Sequence, residues 1–323
     1  MQIMVVVGKQ PPELVTRGDV RALEEVSMFD DPRWDDSRNR DDGRDRDSRD
    51  RDVDPRDVFM EGLDLPRGLE RELVHERDRE YTLRGSESRT LSVVGVFRVV
   101  SSRDLLDHHD RPADPRTGDL RHLREQGLIR TVPLHGHREV AVVLTDRGRD
   151  LLESHRRDRD GGHDHHQEFY AELKKLREVE HDVQVYRAYE REAERLQERG
   201  ARIGRVALDY ELKREYQQFL QERHRGRADS DGRPDRDQSE IEDWAREHDL
   251  PYFDGHVHFP DARIEYEEPD GRWDHLDVEV VTLHYRGAHG AAASRSGFST
   301  FRGSSARTGG APFDPDYASE LFP

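Results

Sequence analysis

Between residues 88 and 155 the apolar positions follow a series of short periodic patterns. A three-residue step across 91–100 predicts a first helix. Ser101 and Ser102 are placed to cap a second helix, which carries Leu105 on its apolar side. This part of the chain therefore begins with two predicted helices.

The rest of this segment predicts a helix followed by a β-hairpin. Leu120 and Leu123 share one face of a helix, and Gly127 is placed to end it. Two β-rich runs follow at 129–134 and 140–144. Three helices with a hairpin behind the third are typical of a winged-helix domain, whose third helix enters the major groove of DNA.

Longer patterns occupy the second half of the chain. Residues 168–199 carry apolar side chains every three or four positions, which predicts one long amphipathic helix. Residues 203–208 predict a strand, and 257–266 and 276–283 predict two more, joined by a turn at 268–271. A helix and a small sheet are therefore expected after the first domain.

Two further helices are predicted from weaker signals. Ser239, with Glu242 three residues later, forms a capping-box pattern. Residues 59–87 place Leu73 and Val74 among charged residues, which predicts a helical lead-in to the first domain.

Composition limits the possible functions. The chain has 323 residues, of which 38% are charged and 32% hydrophobic, and its net charge is −18. It contains no cysteine, which excludes disulfides, thiolate catalysis and cysteine zinc sites and favours a cytoplasmic location. No apolar run approaches the roughly 20 residues that a membrane helix needs, so no membrane partner is expected. Binding to nucleic acid would have to use local basic surfaces, because the chain as a whole repels phosphate.

The predicted third helix and the hairpin tip carry the candidate DNA contacts. With Leu120 and Leu123 facing inward, basic residues remain on the other faces of the helix and just before it. These candidates are Arg116, Arg121, His122 and Arg124. His137 and Arg138 occupy the hairpin tip, where they suit phosphate. The alternative is a winged helix that serves only protein contact or dimerisation.

A second group of charged residues lies on the predicted strands of the second half. Pro260 and Asp261 open one strand, and Asp277 and Glu279 lie on the next. Carboxylate oxygens are the ligands that Mg²⁺ prefers, and water bound to such an ion can attack phosphate. This order of elements and residues resembles the PD-(D/E)xK nuclease core. The resemblance implies that Asp261 and Glu279 are catalytic and bind Mg²⁺.

The pattern departs from that nuclease motif at one position. Where the motif has a lysine two residues after the acid, this chain has Val281. Arg263, His284 and Arg286 are candidate replacements, although arginine cannot act as a base at neutral pH. An active nuclease, a non-catalytic nuclease-like domain and an unrelated α/β domain all stay open. A simpler alternative is that the acidic residues form the solvated side of their strand.

Residues 285–308 contain four arginines and no acidic residue, a local charge of +4. The arginines are Arg286, Arg295, Arg302 and Arg307. In so acidic a chain this stretch suits phosphate, and the first three join the candidate DNA-binding residues. Its glycines and alanines equally fit a helix packed on a sheet.

The combination of a winged helix, a helix bearing His181 and the two acidic strands resembles the replication-relaxation family. These proteins are associated with plasmids and other mobile elements, and the resemblance covers roughly residues 83–301. It implies a role in starting replication or relaxing plasmid DNA, and it suggests that His181 faces the nuclease-like site. The family's strand also tends to lack the lysine, which favours DNA handling without cleavage.

The expected fold class is α+β, with a winged helix-turn-helix domain followed by a long helix and a small α/β domain of the restriction-endonuclease type. The expected segments are an N-terminal segment (1–27), a disordered Asp/Arg-rich linker (28–58), the helical lead-in (59–87), the winged helix (88–157), the nuclease-like domain (165–302, including the long helix 168–199) and a flexible tail (303–323).

Three functional classes stay open. The first is a DNA-binding protein with a non-catalytic nuclease-like half, the second is a Mg²⁺-dependent endonuclease or nickase, and the third is a dimeric winged-helix regulator. Double-stranded DNA is the expected partner of each. The apolar stripe of the long helix either seals onto the α/β domain or forms a homodimer. The histidine-rich loop 163–166 is either an incidental polar loop or a metal site.

Overall fold

The structure is a computed structural model that describes Asp54 and residues 56–134, 139–157, 166–173, 178–222, 236–281 and 295–302. The chain divides into two compact units, 1–51 and 52–323, and the described residues all lie in the second. The predicted N-terminal segment, nearly all of the linker, the hairpin tip, most of the histidine-rich loop and the tail lie outside the described residues.

Helices and strands alternate through this unit, so the α+β prediction is confirmed. The helices are α1 (Gly85–Phe97), α2 (Gly118–Glu125), α3 (Asp146–Ser154), α4 (Val179–Glu198), α5 (Asp209–Gln221) and α6 (Gln238–Glu247). The strands are β1 (Glu72–Glu76), β2 (Arg79–Leu83), β3 (Val100–Ser101), β4 (Ile129–Pro133), β5 (Val140–Leu144), β6 (Arg202–Leu208), β7 (Tyr252–Phe253), β8 (His256–Val257), β9 (Ala262–Glu267), β10 (Trp273–Val281) and β11 (Ser299–Arg302).

The first sheet is antiparallel, with strand order β3-β5-β4. The predicted third helix and both predicted strands are present as α2, β4 and β5. Gly127 ends the α2 segment with a φ of 73°, a conformation that glycine adopts without strain. Thr145 caps α3, since its hydroxyl accepts the Gly148 N–H at 3.2 Å.

The predicted second helix is wrong. Ser101 pairs with Ala141 in the sheet, and the chain then turns repeatedly before α2. The Asp107 carboxylate accepts the backbone N–H groups of His109 and Arg111, at 2.8 and 3.1 Å. Short acidic side chains that bond nearby backbone in this way compete with helix formation.

The predicted helical lead-in is also wrong, because residues 72–83 form the antiparallel hairpin β1–β2. Val74 and Tyr81 pair across it, and both are buried. Burial alternates with exposure along the strands, which is the period of a half-buried sheet. In β1 the apolar Leu73 is exposed and the charged Glu76 is buried, so the hydrophobicity of the sequence does not show this alternation.

The long helix α4 starts at Val179, about ten residues later than predicted. In the preceding segment the Tyr170 N–H donates to the Gly95 carbonyl at 2.7 Å, and the Glu172 N–H donates to Leu144 at 3.0 Å. These backbone groups therefore bond to α1 and β5 and cannot form helical bonds.

The apolar stripe of α4 is buried inside this chain. Tyr186 and Tyr189 are fully buried, with ring centroids 5.0 and 4.8 Å from that of Phe97 on α1. The same core continues to Ile264 and Val280 of the second sheet. The stripe therefore packs within this chain, as the first of the two alternatives predicts.

The second sheet has strand order β11-β10-β9-β6. β9 is antiparallel to both of its neighbours, and β10 is parallel to β11. The predicted turn joins β9 to β10, with the Gly271 N–H donating to the Glu268 carbonyl at 2.8 Å. The α4 helix packs on one face of this sheet.

The helix α6 begins two residues earlier than predicted. Asp237 is its N-cap and accepts the Glu240 N–H at 2.9 Å, while the Glu240 side chain accepts the Asp237 N–H at 3.1 Å. The capping box is therefore built from these two residues and not from Ser239 and Glu242. Asp is as good a cap as Ser, so the sequence offered two starting points.

Candidate DNA interface and carboxylate site

Leucines fix the inner side of α2. Hydrogen bonds of His122 with Glu87 and Thr82 fix one flank, and we call this group the polar seat of α2. Leu120 and Leu123 are buried in the core. The His122 ring places Nδ1 2.8 Å from Glu87 Oε1 and Nε2 3.2 Å from the Thr82 hydroxyl. Both ring nitrogens face protein groups, so the structure places this predicted DNA contact in the seat of the helix.

Gln126 extends this seat to the β1–β2 hairpin. Its Oε1 accepts the Thr82 N–H at 2.8 Å, and its Nε2 donates to the Thr82 carbonyl at 3.0 Å. These two hydrogen bonds to one backbone position fix the end of α2 against β2. The hairpin that the sequence analysis missed therefore helps to orient the helix.

Two buried carboxylates lie beneath the start of α2. Glu87 accepts the Arg71 guanidinium at 2.6 Å. Asp119, in the first turn of α2, accepts the Ser86 hydroxyl at 2.7 Å and the His108 N–H at 3.0 Å. Buried charges are tolerated only with partners of this kind, and an acid is favoured at a helix N-terminus. The network holds α2 in one orientation.

The outer side of α2 presents arginine to solvent. Arg124 is exposed, and its side chain forms no hydrogen bond or ion pair with any described residue. Arg121 is 56% exposed, and its Nε lies 2.6 Å from Glu125 Oε1, a bond that lowers the pKa of Glu125. Arg116 is exposed just before the helix. Arg121 is held in an ion pair, whereas Arg124 feels the charge of Glu125 but forms no ion pair with a described residue.

Arg147 lies beside α2 and was absent from the sequence candidates. It is exposed in the first turn of α3, and its Nη1 lies 3.3 Å from where a Cβ would sit at Gly127. The Thr145 hydroxyl donates to the Gly127 carbonyl at 2.7 Å, which brings α3 to the end of α2. The capping pattern located α3 in the sequence, but only the fold shows this contact.

The other basic candidates do not join the α2 surface. Arg295 pairs with Asp254 at 2.7 Å beside the β7–β8 hairpin, and Arg302 is exposed at the end of β11. Both belong to the second sheet and its surroundings. The remaining candidates, His137, Arg138 and Arg286, lie outside the described residues.

Asp261 and Glu279 meet at one end of the second sheet. Val278 pairs with Ala262, so the next position of this antiparallel ladder sets Glu279 opposite Asp261. The Val280 N–H donates to Asp261 Oδ2 at 2.7 Å, and Glu279 is buried. The strand register therefore brings the two predicted carboxylate residues to the same place.

The N-terminal turn of α4 adds His181 and Asp182 to this end of the sheet. His181 Nε2 lies 3.1 Å from Asp261 Oδ1. Burial opposes protonation of His181, but the hydrogen bond and charge of Asp261, with the charges of Asp182 and Asp209, raise its pKa. Burial raises the pKa of Asp182 to about 6, although the nearby Arg98 opposes the shift.

A lysine reaches the same region from α5. Lys213 Nζ lies 2.8 Å from Asp209 Oδ2, and the Asp209 N–H donates to the Asp261 carbonyl at 3.1 Å. The Lys213 side chain is 53% exposed. The sequence analysis found no lysine near Glu279, because Lys213 is far from it along the chain and only the fold brings the two regions together.

Arg263 has a structural role, which excludes it as a replacement for the motif lysine. Its Nε and Nη2 bond the Asp277 carboxylate at 2.7 and 2.9 Å. Its Nη1 and Nη2 also donate to the carbonyls of His248 and Asp249 behind α6, at 2.7 and 3.0 Å. The Asp277 side chain is 9% exposed and Glu279 is 7% exposed. The alternative that these acids form a solvated strand face is therefore wrong.

The carboxylates of Asp261 and Glu279 are hard oxygen donors. Mg²⁺ is commonly held by one or two carboxylates, with water and substrate phosphate completing its shell. Within the described ranges, no group of three or more His, Asp or Glu side chains is placed to hold a metal ion. Two carboxylates of the kind that Mg²⁺ uses therefore lie at this end of the sheet, and the oxygens of Asp261 already bond His181 and the Val280 N–H.

No match to this chain is found among models of known protein families, curated proteins or solved structures. In the part of the chain that the structure describes, no helix is long and apolar enough to cross a membrane. The function has therefore to be inferred from the chain's own residues and their geometry.

Proposed function

We propose that this chain is a DNA-binding protein that contacts duplex DNA through the outer side of α2. The observation that carries this proposal is the exposed Arg124 side chain, which forms no ion pair with a described residue, on a helix that is fixed on its inner side and flank. Side chains held on rigid elements recognise a partner with less loss of conformational freedom than side chains on loops. Arginine suits both phosphate oxygens and the O6 and N7 acceptors of guanine.

The elements around α2 support a winged-helix interpretation. Along the chain, α2 lies between β3 and the β4–β5 hairpin, and these strands form one sheet in the order β3-β5-β4. The helices α1 and α3 complete a core around α2. The arrangement departs from the expected domain where turns replace the second helix. In this proposal α2 lies in the major groove, and Arg116 and Arg147 contact the phosphates on either side.

A gel-mobility assay with a DNA duplex tests this proposal. Replacing both Arg121 and Arg124 with alanine should weaken binding by about 10- to 100-fold, since each base or phosphate contact of this kind contributes about 1 kcal/mol or more. Arg272→Ala serves as the matched control, because Arg272 is an exposed arginine of the β9–β10 turn that pairs with Asp270. Unchanged binding by the double variant would remove α2 from the interface.

We further propose that the second sheet is a nuclease-like unit that handles DNA without cleaving it. Apart from α5, α6, β7 and β8, which lie between β6 and β9, the chain order is a helix (α4), three antiparallel strands (β6, β9, β10) and a fourth strand parallel to the third (β11). This order supports the resemblance to the nuclease core, and with it the assignment to a protein of the replication-relaxation type. Val281 at the lysine position favours binding over cleavage.

One observation favours Mg²⁺-dependent cleavage as a second candidate function. Lys213 stands beside Asp209 at the end of the sheet that carries Asp261, so a cation is present there although Val281 replaces the motif lysine. In this alternative Asp261 and Glu279 hold the ion, and Lys213 stabilises the charge that develops on phosphate.

Nicking of supercoiled plasmid in Mg²⁺ or Mn²⁺ separates the two candidates. Cleavage that is abolished in both Asp261→Ala and Lys213→Ala, but kept in the control Arg272→Ala, would establish the nuclease. Intact plasmid after prolonged incubation with either metal would leave the non-catalytic function in place.

A further inference from the structure

The β7–β8 hairpin carries a three-layer stack of flat side chains. The rings of Phe253 and His258 lie 3.6 Å apart between centroids and 12° from parallel. The Arg295 guanidinium carbon lies 4.3 Å from the centroid of the Phe253 ring. Arg295 and Phe253 thus form a cation–π pair that continues the ring stack outward.

This stack is separate from the hydrophobic core. Tyr252 and Val257, which pair across the hairpin, pack on the cluster formed by α5 and α6. Phe253 does not belong to that cluster and is half-buried, as is His258. At the hairpin tip a Cβ added to Gly255 would meet nothing within 4 Å. The hairpin is therefore anchored by one pair of residues and presents the stack on its other side.

The outer layer of the stack is accessible. Arg295 is 56% exposed, and its ion pair with Asp254 at 2.7 Å uses one edge of the guanidinium. More than half of the Arg295 side chain is thus accessible to a further flat group. Arginine planes and aromatic rings are the surfaces on which proteins stack unpaired bases, and every base has a flat face to offer.

The stack is close to the carboxylate end of the second sheet. His258 precedes Asp261 by three residues, so the two Cα atoms lie within about 11 Å of each other. Bases of one strand follow at roughly 3.4 Å per nucleotide when stacked. A strand whose phosphate reaches Asp261 and Glu279 can therefore place a base within about three nucleotides at the hairpin.

We infer that Arg295, Phe253 and His258 form a stacking site for an unpaired base of DNA, next to the backbone segment held at the end of the second sheet. The inference rests on the proposed function and makes it more specific. The substrate of the nuclease-like unit is then DNA with an unpaired stretch, such as a gap or a melted region, while α2 binds the neighbouring duplex.

Fluorescence anisotropy with two labelled DNAs tests this site. One is a plain duplex, and the other contains the same duplex with a gap of roughly five unpaired thymines. The wild-type chain should prefer the gapped DNA by roughly tenfold, the contribution of one stacked base. Arg295→Lys keeps the charge and removes the flat group, and Phe253→Leu keeps apolar bulk and removes the ring. Both should abolish the preference and leave plain-duplex affinity unchanged.

Trp273→Leu is the control, because Trp273 is an exposed aromatic residue on β10, 59% accessible and away from the hairpin. It should keep the full preference for gapped DNA. The α2 double variant should weaken both DNAs equally, which separates the two proposals. An absent preference in the wild-type chain, or an unchanged preference in Arg295→Lys, would overturn the stacking site. Unchanged binding of both DNAs by the α2 double variant would instead count against α2.

Discussion

The α2 surface and the carboxylate end of the second sheet use arginine in opposite ways. Arg124 is exposed and has no ion-pair partner among the described residues, whereas Arg263 is 8% exposed and bonds one carboxylate and two carbonyls. Both residues are basic candidates in the sequence. Only the first has hydrogen-bonding capacity left for a phosphate or a base.

The difference shows why the number of arginines is a poor guide to DNA binding in an acidic chain. Within a net charge of −18, most arginines are expected to balance acids of the same molecule. Arg121 illustrates the intermediate case, since it is exposed but held by Glu125. The proposed interface therefore depends on the accessible arginines that form no ion pair within the described part of the chain.

Replacing Arg263 should have the largest effect on stability. Arg263→Ala leaves Asp277 buried without its bidentate partner, and such a loss typically costs about 3–5 kcal/mol. Urea denaturation followed by circular dichroism measures it, and Arg121→Ala is the control. Removing that exposed pair should change the free energy of unfolding by less than about 1 kcal/mol. Similar values for both variants would break the contrast between the two regions.

The helix that joins the two regions should make stability depend on pH. Burial raises the pKa of Glu190 on α4 to about 7, with Asp104 and Glu194 adding to the shift and Tyr186 and Arg56 opposing it. The folded state therefore holds this proton more tightly than the unfolded chain, so the contribution is present below about pH 4.5 and is lost as the pH rises through 7.

Glu190→Gln removes this titration. The free energy of unfolding of the variant minus that of wild type should increase by roughly 2 kcal/mol when the pH is raised from 5 to 8. Thermal or urea melts at the two pH values measure the difference. A constant difference across this range would show that Glu190 ionises at its ordinary pKa.

The seat of α2 should contribute less. His122→Ala removes one partner of the buried Glu87 carboxylate, which Arg71 and the Arg84 N–H still bond. We expect a loss of about 1–2 kcal/mol in the free energy of unfolding. Under conditions where the variant is folded, its DNA affinity should fall only slightly. A loss of DNA affinity as large as that of the arginine variants would show that His122 contacts DNA.

The smallest predicted effect is a gain in DNA affinity. Glu125→Gln frees Arg121 from its exposed ion pair and removes a negative charge beside Arg124. Duplex affinity should rise about two- to fivefold at low salt, and the gain should shrink as salt screens the charges. Anisotropy titrations at two salt concentrations measure it. Weaker binding by this variant would place Glu125 itself in contact with DNA.

The elements that the sequence predicted well are those fixed by local signals. Leu120, Leu123 and Gly127 located α2, and two short β-rich runs located β4 and β5. The same holds for Asp261 and Glu279, since two strands joined by a tight turn must bring matching positions together. In each case the contacts that decide the structure lie within a few residues or across one hairpin.

The features that the sequence did not predict depend on distant contacts. Tyr170 gives its N–H to α1, so the helix expected from residue 168 starts at Val179. Lys213 pairs with Asp209 within α5, but the Asp209 N–H meets the Asp261 carbonyl only in the folded chain. The inward direction of His122 depends on Glu87 and Thr82, which belong to other elements. The apolar periodicity of one segment does not reveal partners that belong to distant segments.

The salt dependence of duplex binding tests the central claim most directly. Each arginine that contacts phosphate steepens the fall of log K with log salt by about one unit. Wild type and the Arg116→Ala/Arg147→Ala variant should be titrated by fluorescence anisotropy at several salt concentrations, with Arg272→Ala alongside. We predict a slope shallower by about two in the double variant and unchanged in the control. Equal slopes in all three proteins would contradict an interface built on α2.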